Sequence, residues 1–97
     1  MKLSQQHITT IKNFFSGLPV KKAYLFGSYS RNEADENSDI DILVELDYSK
    51  QIGMQFFTYA EKLEELLKKK VDIVSADGIS KYVKPFVDKD KVLIYER

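Results

Sequence analysis

Asp39 and Asp41 stand one residue apart at the head of an alternating segment that runs from Asp39 to Leu46. Successive side chains of a strand point to opposite faces, so residues i and i+2 share a side and the two carboxylates project together. Ionised carboxylates at that spacing repel, and the repulsion raises the pKa of one of them. A cation between them removes the conflict, and hard oxygen donors suit magnesium or manganese. The same Asp-x-Asp pattern also serves as the exposed acidic face of an edge strand. The apolar run Ala23 to Phe26 ends in Gly27-Ser28, with ten residues between them and this pair. Glycine lets a backbone turn tightly and approach a ligand closely. Ser28, at the start of a short helix over 28–33, offers its hydroxyl and the nearby amides to an anion. An ordinary N-cap after a strand is the other use of such a pair.

Two further residues could join this chemistry. Arg31 falls on the Ser28 face of the same short helix, able to meet phosphate oxygens or to pair with Asp35 or Glu36. Asp72 interrupts the apolar run Val71-Asp72-Ile73-Val74 directly after Lys68-Lys69-Lys70. A charge inside a short strand requires a counter-charge or a metal. It either pairs with one of those lysines or completes three carboxylates on neighbouring strands, as a two-metal phosphoryl site requires.

The remaining pattern supplies the elements that position these groups. Ser4 is an N-cap with Leu3 stapling to Ile8, and Ile8, Ile11, Phe14, Phe15 and Leu18 recur at helical spacing until Gly17 and Pro19 end the segment. A polar turn covers 34–38. A long helix is expected over 51–69, with Ile52, Phe56, Ala60, Leu63 and Leu67 on its buried stripe. Phe57, Tyr59 and Leu66 lie off that stripe and are interface candidates, joined by Tyr82 and Phe86. Ser80 caps a brief helix to about Val87, bent or restarted at Pro85, and Val92 to Tyr95 forms a last edge strand. Helices alternating with strands predict an α/β (α+β) fold: a small mixed sheet of about four strands with helices packed on it, in a single domain over 1–97.

Composition narrows the function classes. Of 97 residues, 43% are apolar and 12% aromatic, enough for a core and too many for a disordered chain. Fifteen basic residues balance fifteen acidic ones, so bulk charge gives no case for direct nucleic-acid or membrane binding. Without cysteine there is no disulfide, thiolate metal site or cysteine nucleophile. No apolar run reaches the ~20 residues of a membrane span and no leader pattern opens the chain, so a cytoplasmic protein is expected. His7, the single histidine, has no partner residues for a metal or nucleophile set and reads as a packing or surface residue.

The order of these features is more specific than any one of them. Gly27, Ser28, Arg31, the run Ser38-Asp39-Ile40-Asp41-Ile42-Leu43-Val44, Val71-Asp72-Ile73-Val74 and the ending from Asp77 to Glu96 resemble the minimal nucleotidyltransferases of the DNA polymerase β-like superfamily. Asn32 departs from the family pattern, which often has glycine there. Asparagine tolerates left-handed backbone better than most residues, which keeps the turn. The resemblance implies the nucleotidyltransferase fold and a metal site of Asp39, Asp41 and Asp72. It also implies that Gly27 and Ser28 hold the β- and γ-phosphates of ATP, with Arg31 beside them. Family members commonly pair with a HEPN-domain toxin. The implied function is therefore an antitoxin that moves AMP from ATP onto a hydroxyl of that partner, with tyrosine the expected acceptor. Small size suggests the same, since little chain remains to build a second substrate pocket. Two alternatives stand beside it: a degenerate module that blocks its partner by contact alone, and transfer to a small molecule.

Overall fold

The computed structural model describes residues 2–97. Helix α1 spans Gln5–Ser16, with the Ser4 hydroxyl accepting the His7 N–H at 3.1 Å as the capping pattern predicts. Strand β1 follows (Val20–Phe26), then a single 3₁₀ turn over Gly27–Tyr29 and strand β2 (Ile40–Leu46). A 3₁₀ segment, Gly53–Thr58, leads into helix α2 (Tyr59–Leu67), followed by β3 (Val71–Ser75), α3 (Lys84–Asp90) and β4 (Val92–Glu96).

The four strands form one mixed sheet in the order β3-β2-β1-β4. β1 runs antiparallel to both β2 and β4, while β2 and β3 are parallel. The parallel pair is what sequence alternation cannot reveal, and it requires the crossover that α2 provides. One sheet face carries Ile40, Ile42 and Val44, fully buried against Ile11 and Phe15 of α1 and Leu63 of α2. Burying a side chain of this size contributes about 1.5–3 kcal/mol. By strand alternation the opposite face carries Tyr24, Asp41, Leu43 and Glu45. It is more open, and α3 reaches it at one end, where Lys91 Nζ stands 4.8 Å from the centre of the Tyr24 ring.

The expected long helix over 51–69 is interrupted. Gly53 has a left-handed φ of 61°, and the segment to Thr58 winds as 3₁₀. The Thr58 hydroxyl donates to Gln55 O at 2.7 Å, a side-chain bond that competes with regular helix. A tighter turn also changes the phase of the buried stripe. Leu63 and Leu67 are buried and Ile52 and Phe56 pack against the core as expected, but Tyr59 rather than Ala60 completes the buried stripe of the α-helix, so Tyr59 is not an interface residue. It is 2% exposed and packs edge-on against Phe14 and Phe56. Its hydroxyl is buried without a hydrogen-bond partner among the described residues. Removing an unsatisfied buried hydroxyl is expected to help, so Tyr59→Phe should raise the stability by about 1 kcal/mol in a denaturant titration. Phe57, Leu66, Tyr82 and Phe86 are exposed, as the sequence pattern predicts. Ser80 Oγ accepts the Tyr82 and Val83 N–H groups at 3.2 Å and caps a turn, and the helix restarts at Lys84 with Pro85 in its first turn, where proline's missing N–H costs nothing. His7 is half-buried in the first turn of α1, and its Nδ1 has no hydrogen-bond partner among the described residues.

Candidate active site

Register brings the chemistry-bearing residues to one end of the open face. Asp41 is paired in register with Phe26 on one side and with Asp72 on the other. Parallel partners point the same way, so Asp41 and Asp72 share a face, and Asp39 joins them by the two-residue period of the strand. Asp39 lies just before β2, at the exit of a loop that its own side chains close. Asp35 Oδ1 accepts the Asn37 N–H at 2.8 Å, and Ser38 Oγ accepts the Asp35 N–H at 3.0 Å. At the other strand, Glu64 Oε2 accepts the Val71 N–H at 3.0 Å and the Ile40 N–H bonds to Lys70 O at 2.9 Å, fixing the start of β3 beside β2.

None of the three carboxylates forms a side-chain hydrogen bond or ion pair with another described residue. Among the described residues no ion pair joins Asp72 to Lys68 or Lys70. Those lysines instead face Glu36 to Asp39 across a cleft of about 310 Å³. Asp41 is half-buried. Burial first, then the charges of Asp72 and Asp39, push its carboxyl up to about 6, against a weaker opposing pull from Arg31.

Gly27 ends β1 with φ +75°, a conformation that L side chains rarely adopt. A Cβ there would overlap the Asp41 carboxylate, with Asp41 Cγ only 3.2 Å away. The turn and the carboxylates are thus in direct contact, a proximity invisible in the sequence. Ser28 follows in a 3₁₀ turn of three residues, not in a helix over 28–33. So short a turn gathers little dipole, and any anion held here is held by individual N–H and O–H groups. The Ser28 hydroxyl donates to nothing among the described residues, whereas Ser30 Oγ donates back to Gly27 O at 2.8 Å. Asn32 adopts φ 61°, the left-handed conformation expected where glycine is common.

Arg31 lies beyond that turn and pairs with neither Asp35 nor Glu36. Its Nε donates to Glu33 at 3.0 Å and its Nη1 to Asp90 at 2.5 Å. Sequence spacing gives no signal for Asp90, which lies 59 residues away.

Among the described residues no three His, Cys, Asp or Glu side chains stand close enough to form a finished metal cluster. Asp39, Asp41 and Asp72 do place carboxylate oxygens on one face, and the repulsion between them is of the kind that a hard divalent cation relieves. Burial of Asp41, together with the charges of Asp72 and Asp39, has a measurable consequence in metal-free protein. The folded state holds a proton on Asp41 up to about pH 6, while the unfolded chain releases it near 3.8. Stability from this group is therefore present below pH 3.8 and is lost as pH rises to about 6. Saturating magnesium should raise the thermal midpoint by several degrees at pH 7.5 and much less at pH 5, where the proton competes. An equal magnesium shift at both pH values would disprove binding at Asp41.

Residues 9–97 match the family described as Polymerase beta, Nucleotidyltransferase. A candidate protein adenylyltransferase of Methanocaldococcus jannaschii is 42% identical over 76 residues, covering 77% of this chain and 76% of that protein. The protein adenylyltransferase MntA of Thermococcus cleftensis is 35% identical over 75 residues, covering 77% of this chain and 75% of its own length. Among solved structures, a toxin–antitoxin crystal structure with AMP-PNP superposes with a TM-score of 0.79 at 26% identity. The match covers 93% of this chain and 73% of that one.

Proposed function

Because the chain belongs to the polymerase β-type nucleotidyltransferase family, as a minimal member, we propose that it is a cytoplasmic protein adenylyltransferase. It would transfer AMP from ATP to a hydroxyl, expected to be a tyrosine, of a HEPN-domain toxin and thereby act as its antitoxin. The observation that carries this reading is the contact between the Gly27 turn and Asp41, which sets a phosphate turn against three unpaired carboxylates. The similarity to a toxin–antitoxin complex with AMP-PNP supports the nucleotide and the partner. The similarity to MntA supports the reaction class.

In this reading Gly27 and Ser28 hold the β- and γ-phosphates through backbone N–H groups and the free serine hydroxyl, while Arg31 offers its guanidinium to the same oxygens. Asp39, Asp41 and Asp72 would hold magnesium or manganese, whose chemistry is to neutralise charge on the entering and leaving oxygens. The acceptor oxygen attacks the α-phosphorus in line. A new P–O bond forms as the bond to pyrophosphate breaks. Asp72, at the edge of the site and exposed, accepts the hydroxyl proton and passes it to solvent. Exposed Phe57, Leu66, Tyr82 and Phe86 offer apolar contact to the partner that brings the hydroxyl.

Pyrophosphate release by the pure chain with ATP and magnesium, with and without the HEPN partner, tests the reading. Release that depends on the partner supports it. Silencing of the partner with no release at all would support the contact-only alternative.

A further inference from the structure

The geometry points to Asp90 as a positioning residue that holds Arg31 for the phosphate side of the site. This rests on the nucleotide reading above. Arg31 begins beside the phosphate turn, where its N–H bonds to Gly27 O at 3.2 Å. Its guanidinium is then pinned from two sides, Nε on Glu33 at 3.0 Å and Nη1 on Asp90 at 2.5 Å. Nη2 donates to nothing among the described residues. One corner of the fork therefore stays available to an anion, and a planar fork held at its other corners matches phosphate oxygens.

Asp90 occupies a position that helix electrostatics disfavour. It is the last residue of α3, where the negative end of the helix repels a carboxylate. The nearby lysines do not compensate it: Lys84 at 2.6 Å and Lys91 at 3.0 Å both pair with Asp88. Arg31 supplies the counter-charge. The Asp90 side chain is 18% exposed, against 44% for Arg31, so the acid is the more fixed partner. Its helix end is anchored in turn. The Lys91 N–H bonds to Val87 O at 2.8 Å, Lys91 Nζ stands over the Tyr24 ring, and the Tyr24 hydroxyl donates to Glu45 at 2.8 Å. An ion pair this exposed contributes little to stability, so its consequence is placement.

Binding of AMP-PNP with magnesium, followed by calorimetry on the full chain, tests the assignment. Asp90→Asn should weaken binding about fivefold, the scale of one charge pair, with the thermal midpoint unchanged. Asp90→Glu should restore most of it. In an Arg31→Ala background, Asp90→Asn should have no further effect. Equal binding by wild type and Asp90→Asn, or an equal loss in both backgrounds, would overturn the role of Asp90 while leaving the nucleotide reading intact. Failure of the wild-type chain to bind AMP-PNP would overturn both.

Discussion

Asp41→Asn is expected to lower nucleotidyl transfer by about three orders of magnitude, because charge stabilisation by a held cation is worth several kcal/mol and each 1.36 kcal/mol is tenfold. Asp41 is the central residue of the candidate site. It lies on an inner strand, pairs in register with Asp72 and touches the Gly27 turn. The amide keeps the shape and removes the charge. The fold should gain from the change, because the desolvation of the charge and the repulsion from Asp72 and Asp39, which push this carboxyl up to about 6, disappear with it. At pH 7.5 and without metal, the variant should therefore melt above the wild type, and magnesium should no longer shift its midpoint. A loss of activity accompanied by a lower midpoint would mean that Asp41 is a structural residue. Transfer at the wild-type rate would remove it from the site.

Gly27→Ala is the second large effect. The left-handed φ of +75° alone costs an L residue about 1–2 kcal/mol. The added methyl also overlaps the Asp41 carboxylate, which must then move. A displacement of ~1 Å at a reacting centre costs about 10²-fold, so transfer should fall by about two orders of magnitude. The thermal midpoint should drop by about 4–8 °C for each kcal/mol lost. The two contributions separate in an Asp41→Ala background. There the overlap is gone, and the further destabilisation by Gly27→Ala should shrink to the backbone strain alone. An undiminished cost in that background would place the steric conflict elsewhere.

The carboxylate face was legible because strand period is short-range: Asp39, Ile40, Asp41 and Ile42 declare their own alternation. Asp72 was visible as the charge that interrupts an apolar run, yet it is exposed in the structure, so burial does not demand a partner for it. The left-handed Asn32 followed from the family's glycine at that position and asparagine's tolerance of that backbone. Contacts set by register were not legible. Nothing local says that Gly27 meets Asp41 or that Asp72 lies beside it, because both depend on how β2 pairs with its neighbours. Arg31 shows the same limit. Its near neighbours Asp35 and Glu36 were the visible candidates, yet Asp35 is used to close its own loop and Asp90 arrives from the far end of the chain. The break before α2 was hidden in one backbone angle, at Gly53, and it turned Tyr59 from the surface into the core.

The proposed reaction leaves a covalent mark on the partner, which blocking by contact alone does not. The direct measurement is the intact mass of the HEPN partner after incubation with the pure chain, ATP and magnesium, followed by mapping of the modified residue. Addition of AMP to a hydroxyl, expected on tyrosine, should be found with the wild-type chain and none with Asp41→Asn. A partner that is silenced by the wild-type chain at unchanged mass would contradict the proposed reaction.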